Sequence, residues 1–231
     1  CFIKGDHKYP CIGMASILAK VSRDRYIQHF CNDNTDLNEK QPVFMIGFPR
    51  SGTTLLDTIL RSHTSVEVIE EQPLVSDLIT SLHNYTNNNL DRLSNLTEEQ
   101  IILLQNQYFE SLLSISKHNS NKIIIDKLPL NIIYTGEILK IFPKAKFITS
   151  IRNPFDSVLS CYMQSFKLND AMANFLNLED AAIMYNNVMK LWNIYKNKID
   201  FNYQEVKYED IIHNFEKIIE KILKFINLCW S

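Results

Sequence analysis

Hydrophobic and polar positions alternate along this chain between short apolar runs and longer stretches with helical spacing. Pro42-Val-Phe-Met-Ile-Gly is an apolar run ending in a turn, which predicts a buried strand, and Thr53 to Ser62 follows with helical character. Lys122-Ile-Ile-Ile-Asp and Lys146-Phe-Ile-Thr-Ser-Ile-Arg repeat the apolar run, with helical patterns over Leu130 to Phe142 and Phe155 to Phe166. A long helix is expected near Leu178 to Lys198, a weaker strand over Phe201 to Tyr208, and a last helix over Glu209 to Leu228. Residues 73–118 read as helices broken by an Asn-rich loop from Asn84 to Asn89, a cap over one edge of the sheet. Strands alternating with helices imply an α/β fold, a P-loop-type three-layer sandwich with a mostly parallel central sheet and helices on both faces.

The first residues read differently. Met14 to Ile27 has helical spacing and strong helix formers, and Cys31 to Gln41 is polar enough to serve as a linker. The chain therefore divides into a helical extension with linker over 1–40 and a main domain over 41–231.

Composition narrows the function classes. At 231 residues, 45% hydrophobic and 22% charged, the chain is an ordinary globular sequence long enough for one sizeable core. A formal net charge of -2 gives no basic field, so neither nucleic acid nor an anionic membrane is the expected partner. Five scattered cysteines form no C-x-x-C pair and no metal-ligand spacing, which points to a reducing compartment and no metal. With no apolar run near ~20 residues and no signal-peptide layout, the expected location is cytoplasmic. The N-x-T sequons at Asn84 and Asn95 are then a consequence of Asn-rich composition rather than glycosylation sites.

Glycine is scarce, with only 5 in the chain, so Gly47 and Gly52 are informative. Gly47-Phe-Pro-Arg-Ser-Gly-Thr-Thr has the G-x-x-x-x-G spacing of a phosphate loop between a strand and a helix, where backbone amides converge on an anion. Thr53 stands where an NTP-hydrolysing loop carries lysine. Arg50, Ser51, Gly52, Thr53 and Thr54 offer a guanidinium, hydroxyls and amides, a set suited to a phosphosulfate group without a cation.

Pro49-Arg-Ser-Gly-Thr-Thr-Leu on such a junction resembles the 5′-phosphosulfate loop of sulfotransferases that use 3′-phosphoadenylyl sulfate (PAPS). Ile125-Asp-Lys-Leu-Pro-Leu-Asn, Ile141-Phe-Pro-Lys-Ala-Lys-Phe-Ile, Ile151-Arg-Asn-Pro-Phe-Asp-Ser-Val-Leu-Ser and Val206-Lys-Tyr-Glu-Asp-Ile resemble, in order, segments of the branch with tyrosylprotein sulfotransferases and their bacterial relatives. The resemblance implies that Arg152 and Ser160 take the nucleotide's 3′-phosphate and that Tyr208 helps to hold the nucleotide. It implies Glu71 as the base, in a partly desolvated pocket, with Glu70 its close competitor and His63 third, and Lys127 as the group that stabilises the leaving oxygen. The acceptor bears a hydroxyl, whether on a protein tyrosine, a carbohydrate or a small molecule. The rival classes are a nucleotide kinase or NTPase, which lacks its lysine here, and an inactive nucleotide-binding module.

Two departures accompany the resemblance. Gln164 stands where the tyrosylprotein branch has a nucleotide-contacting arginine. The family continues past the position of Trp230 with a segment that closes over the nucleotide, so the domain is expected to be incomplete at its C-terminus. Ile3-Lys-Gly-Asp-His-Lys-Tyr-Pro and Ala15-Ser-Ile-Leu-Ala-Lys-Val-Ser-Arg-Asp-Arg-Tyr resemble a C-terminal segment of ribonuclease HII, with Asp6 matching one metal-binding carboxylate. The remaining carboxylates of that two-metal site are absent, and no nuclease activity is expected.

Overall fold

The computed structural model describes residues 41–116 and 122–230. The helix expected over Met14 to Ile27, the linker as far as residue 40 and the segment resembling ribonuclease HII lie outside the described residues.

The three apolar runs form strands β1 (Val43–Gly47), β3 (Ile123–Lys127) and β4 (Lys146–Ile151), and the weaker candidate forms β5 (Asn202–Lys207). A further strand, β2 (Val66–Glu70), pairs with β3 at the sheet edge and was not anticipated. Its Val-Glu-Val-Ile-Glu sequence carries two glutamates, yet Glu67 is buried and its carboxylate accepts a 2.6 Å bond from Ser116. The five strands run in the order β2-β3-β1-β4-β5, and every pairing is parallel.

Alternation along β1 separates two cores. Phe44 and Ile46 point to one face and pack with residues of α2 (Leu74–Thr86), α3 (Glu98–Ile115), α4 (Thr135–Ile141), α5 (Pro154–Met163) and α6 (Leu178–Lys198). Val43 and Met45 point to the other and meet α1 (Thr53–Arg61), α7 (Tyr208–His213) and α8 (Phe215–Phe225). This is the three-layer α/β sandwich that the pattern implied.

The helices α2 and α3, within the stretch expected as a cap, do more than cover an edge. Tyr108 of α3 is buried with its ring 5.9 Å from Phe44 of the central strand, and its hydroxyl donates to Asp126 of β3 at 3.1 Å, so α2 and α3 cover a sheet face. Two expected helices are also subdivided. Leu130 to Phe142 begins as a 3-10 turn (Pro129–Tyr134), whose Ile133 carbonyl accepts from the Tyr195 hydroxyl, before α4. Glu209 to Leu228 breaks at Asn214, whose backbone leaves the helical region between α7 and α8.

Candidate active site

Adjacent strands β1 and β4 send their following helices to opposite faces, which opens a crevice beyond the carboxyl ends of the strands, where open α/β sheets place their ligands. Most of the residues singled out in the sequence lie along this edge, His63 excepted among those described. β1 runs into the glycine turn, β2 into Glu70 and Glu71, β3 ends at Lys127, β4 precedes Arg152, and β5 precedes Tyr208.

The turn after β1 is held tightly. The Ser51 amide donates to the Phe48 carbonyl at 3.1 Å, and the Ser150 hydroxyl of β4 donates to the Ser51 carbonyl at 2.7 Å. Arg50 adopts a positive φ of 65° and Gly52 one of 96°. A Cβ on Gly52 would run into the Tyr208 ring, so glycine there is required by both backbone and neighbour. The first amides of α1, at Thr53 and Thr54, lack intrahelical acceptors and combine with the positive end of the helix dipole. Thr53 is buried and Thr54 exposed.

The guanidinium groups gather around this turn. Arg50 Nε donates to Ser160 Oγ at 3.0 Å, leaving the serine's own proton available to donate. Arg152 does not pair directly with Ser160. It reaches the Arg50 carbonyl at 3.3 Å, lies 3.8 Å from Asp156, and stacks 4.7 Å above the Tyr208 ring. Tyr208 thus braces both Gly52 and Arg152. The buried Ser51 Oγ and Arg152 Nε have no hydrogen-bond partner, and donors of this kind are what an anion such as a phosphate would satisfy.

On the other side of the turn, Lys127 is completely buried. Its Nζ lies 2.8 Å from Glu70, 3.4 Å from Glu71 and 3.8 Å from Asp57. Glu70 also meets Arg61 at 3.4 Å. The Lys127 hydrogen bond holds the Glu70 carboxyl below its usual range against the opposing effect of partial burial, and Arg61 adds to the lowering. Glu71 has a positive φ of 51°, and its amide donates to the Lys127 carbonyl at 2.8 Å. Its side chain is 59% exposed, so the partly desolvated pocket expected around it is not found: the left-handed turn after the edge strand swings it outward. Among the described residues, Arg50 and Glu71 are the two positive-φ positions that are neither glycine nor asparagine, and such strained backbone concentrates at functional sites.

His63 stands apart. Its Nδ1 accepts the Ser65 amide at 3.1 Å and its Nε2 donates to the Cys229 carbonyl at 3.0 Å, so both ring nitrogens join chain segments. Gln164 ends α5 and bonds weakly to the Ser165 carbonyl at 3.4 Å.

Four side chains at the site were not singled out from the sequence. Asp57 and Arg61 connect α1 to Lys127 and Glu70, Ser150 pins the glycine turn, and Glu209 accepts the Asn153 amide at 2.9 Å. The i, i+4 spacing of Asp57 and Arg61 was the available signal.

Residues 42–231 match the model of the sulfotransferase family. The chain belongs to this family. It is 32% identical over 204 residues to an uncharacterized protein of Aquifex aeolicus, a match covering 83% of this chain and 26% of that one. It is 25% identical over 200 residues to protein-tyrosine sulfotransferase 1 of Danio rerio, covering 84% of this chain and 55% of the relative. The match therefore spans about a quarter of the first relative and about half of the second. The sulfotransferase domain from the curacin biosynthetic pathway shares the fold with a TM-score of 0.54 at 16% identity, covering 84% of this chain and 76% of that domain.

Proposed function

We propose that this sulfotransferase uses PAPS as donor and a hydroxyl-bearing acceptor, with Lys127 and Glu71 at the reacting centre. The likeness to protein-tyrosine sulfotransferase 1 favours a phenolic hydroxyl such as protein tyrosine as the first acceptor to examine. In this reading Arg50, Ser51, Gly52, Thr53 and Thr54 cradle the 5′-phosphosulfate, while Arg152 and Ser160 hold the 3′-phosphate and Tyr208 braces them. PAPS supplies an activated sulfuryl group whose departure leaves negative charge on a bridging oxygen.

The observation that carries the proposal is the placement of Lys127: a buried ammonium at the end of β3, within hydrogen-bond reach of a carboxylate on each of two consecutive residues. A cation there can meet charge developing on the bridging oxygen, and a carboxylate beside it can take the acceptor's proton. Glu70 is drawn into ion pairs with Lys127 and Arg61, which weakens it as a base, whereas Glu71 touches Lys127 at longer range and faces solvent. The base is assigned to Glu71 on that difference.

The test is incubation of the protein with ³⁵S-labelled PAPS and a panel comprising a tyrosine peptide, an oligosaccharide and a small alcohol. Label transferred to one hydroxyl class, and reduced about a hundredfold by Lys127→Ala, supports the reading. No transfer above the protein-free background contradicts it.

A further inference from the structure

We propose that Asp57 and Arg61 are a positioning pair that aims the Lys127 ammonium, an inference that rests on the role given to Lys127 above. A buried ammonium requires a carboxylate partner, and three lie around Lys127. They differ in kind. Glu70 and Glu71 are 47% and 59% exposed and sit where the chain leaves the edge strand, whereas Asp57 is 3% exposed and fixed on α1. Its two oxygens are oriented by Arg61, which bonds them from Nε at 2.9 Å and from its terminal nitrogen at 2.7 Å.

The four side chains close a ring of alternating charge, from Arg61 to Asp57, Lys127, Glu70 and back to Arg61. When Lys127 turns from the glutamates toward a developing anion, Asp57 remains as its constant counter-charge and limits its reach. Asp57 is also one turn beyond Thr53 on the same face of α1. One short helix thus presents the amides of the glycine turn and carries the carboxylate that faces Lys127. The distance between anion cradle and ammonium is set through that helix.

The experiment is a double-mutant cycle of Asp57→Asn and Lys127→Ala, read by PAPS turnover with the tyrosine peptide and by titration with 3′,5′-adenosine bisphosphate. Asp57→Asn alone is expected to lower kcat about tenfold while leaving bisphosphate affinity within about twofold, and to cost less than about twofold once Lys127→Ala is present. Equal losses in both backgrounds, or bisphosphate affinity falling in step with kcat, would overturn the pair's role. Urea unfolding of the same four proteins reads the coupling without any acceptor. Lack of turnover by the unsubstituted chain sinks the proposed reaction, and the pair then stands on a smaller stability effect of Asp57→Asn in the Lys127→Ala background or falls on strictly additive effects.

Discussion

The Nε of Arg50 donates to the Oγ of Ser160 at 3.0 Å, joining the turn after β1 to the helix after β4 across 110 residues of sequence. The bond holds the Arg50 guanidinium over the crevice in a backbone conformation that arginine seldom adopts. Ser160→Ala releases this exposed bond and removes a hydroxyl that can donate to a phosphate, and a hydrogen bond to such a charged group is worth ~1.5–3 kcal/mol. The expected outcome is at least a tenfold loss of affinity for 3′,5′-adenosine bisphosphate by calorimetry, with little change in melting temperature. Unchanged affinity would separate Ser160 from nucleotide binding.

Gly52→Ala should be severe for a different reason. The substitution places a methyl group against the Tyr208 ring at a φ of 96°, so the turn, the ring and the Arg152 guanidinium stacked on it must all shift. A loss of ~1–3 kcal/mol in urea unfolding and of detectable bisphosphate binding is expected. A variant that binds normally would show that the turn is not shaped for an anion.

At position 71, charge and backbone strain are separable. Asparagine tolerates the left-handed region better than glutamate does, so Glu71→Asn removes the carboxylate without loading the backbone. Sulfuryl transfer is expected to fall about a hundredfold while thermal stability is kept or slightly raised. Retained turnover would move the base from Glu71 to another group.

Two buried carboxyls make stability fall as pH rises. Burial pushes Asp126 up to about 7, opposed by the Tyr108 hydrogen bond, and burial pushes Glu137 up to about 7 as well. Between the ordinary carboxylate range and about 7, the folded chain holds protons that the unfolded chain has released, so the unfolding free energy decreases with increasing pH. This contribution is complete below the unfolded pKa values and gone above the folded ones. Glu137→Gln should flatten that decline, with a larger gain over the unsubstituted chain at pH 8 than at pH 5 in urea unfolding. An equal effect at both pH values would place the Glu137 ionisation outside that window.

The layers and most strands were legible because each buried parallel strand carries its own apolar run, and the glycine turn was legible because its spacing is local. β2 was hidden by Glu67 and Glu70, one bonded to Ser116 and the other to Lys127, contacts made 49 and 57 residues away. The breaks at Tyr134 and Asn214 follow from tertiary contacts and backbone turns that helical periodicity does not encode. At the site, residue types were readable and their partners were not. Arg152 and Ser160, expected to share one phosphate, are joined within the chain by Arg50, and the Asp57–Lys127 contact brings together residues of α1 and β3 that are far apart in sequence.

The central claim is that the crevice binds an adenosine nucleotide carrying a 3′-phosphate. Calorimetric titration with 3′,5′-adenosine bisphosphate, with magnesium ATP as comparison and Arg152→Ala as control, tests it most directly. The account predicts binding of the bisphosphate without magnesium, preference over magnesium ATP, and loss of that binding in the variant. Preference for magnesium ATP, or bisphosphate binding indifferent to Arg152→Ala, would contradict it.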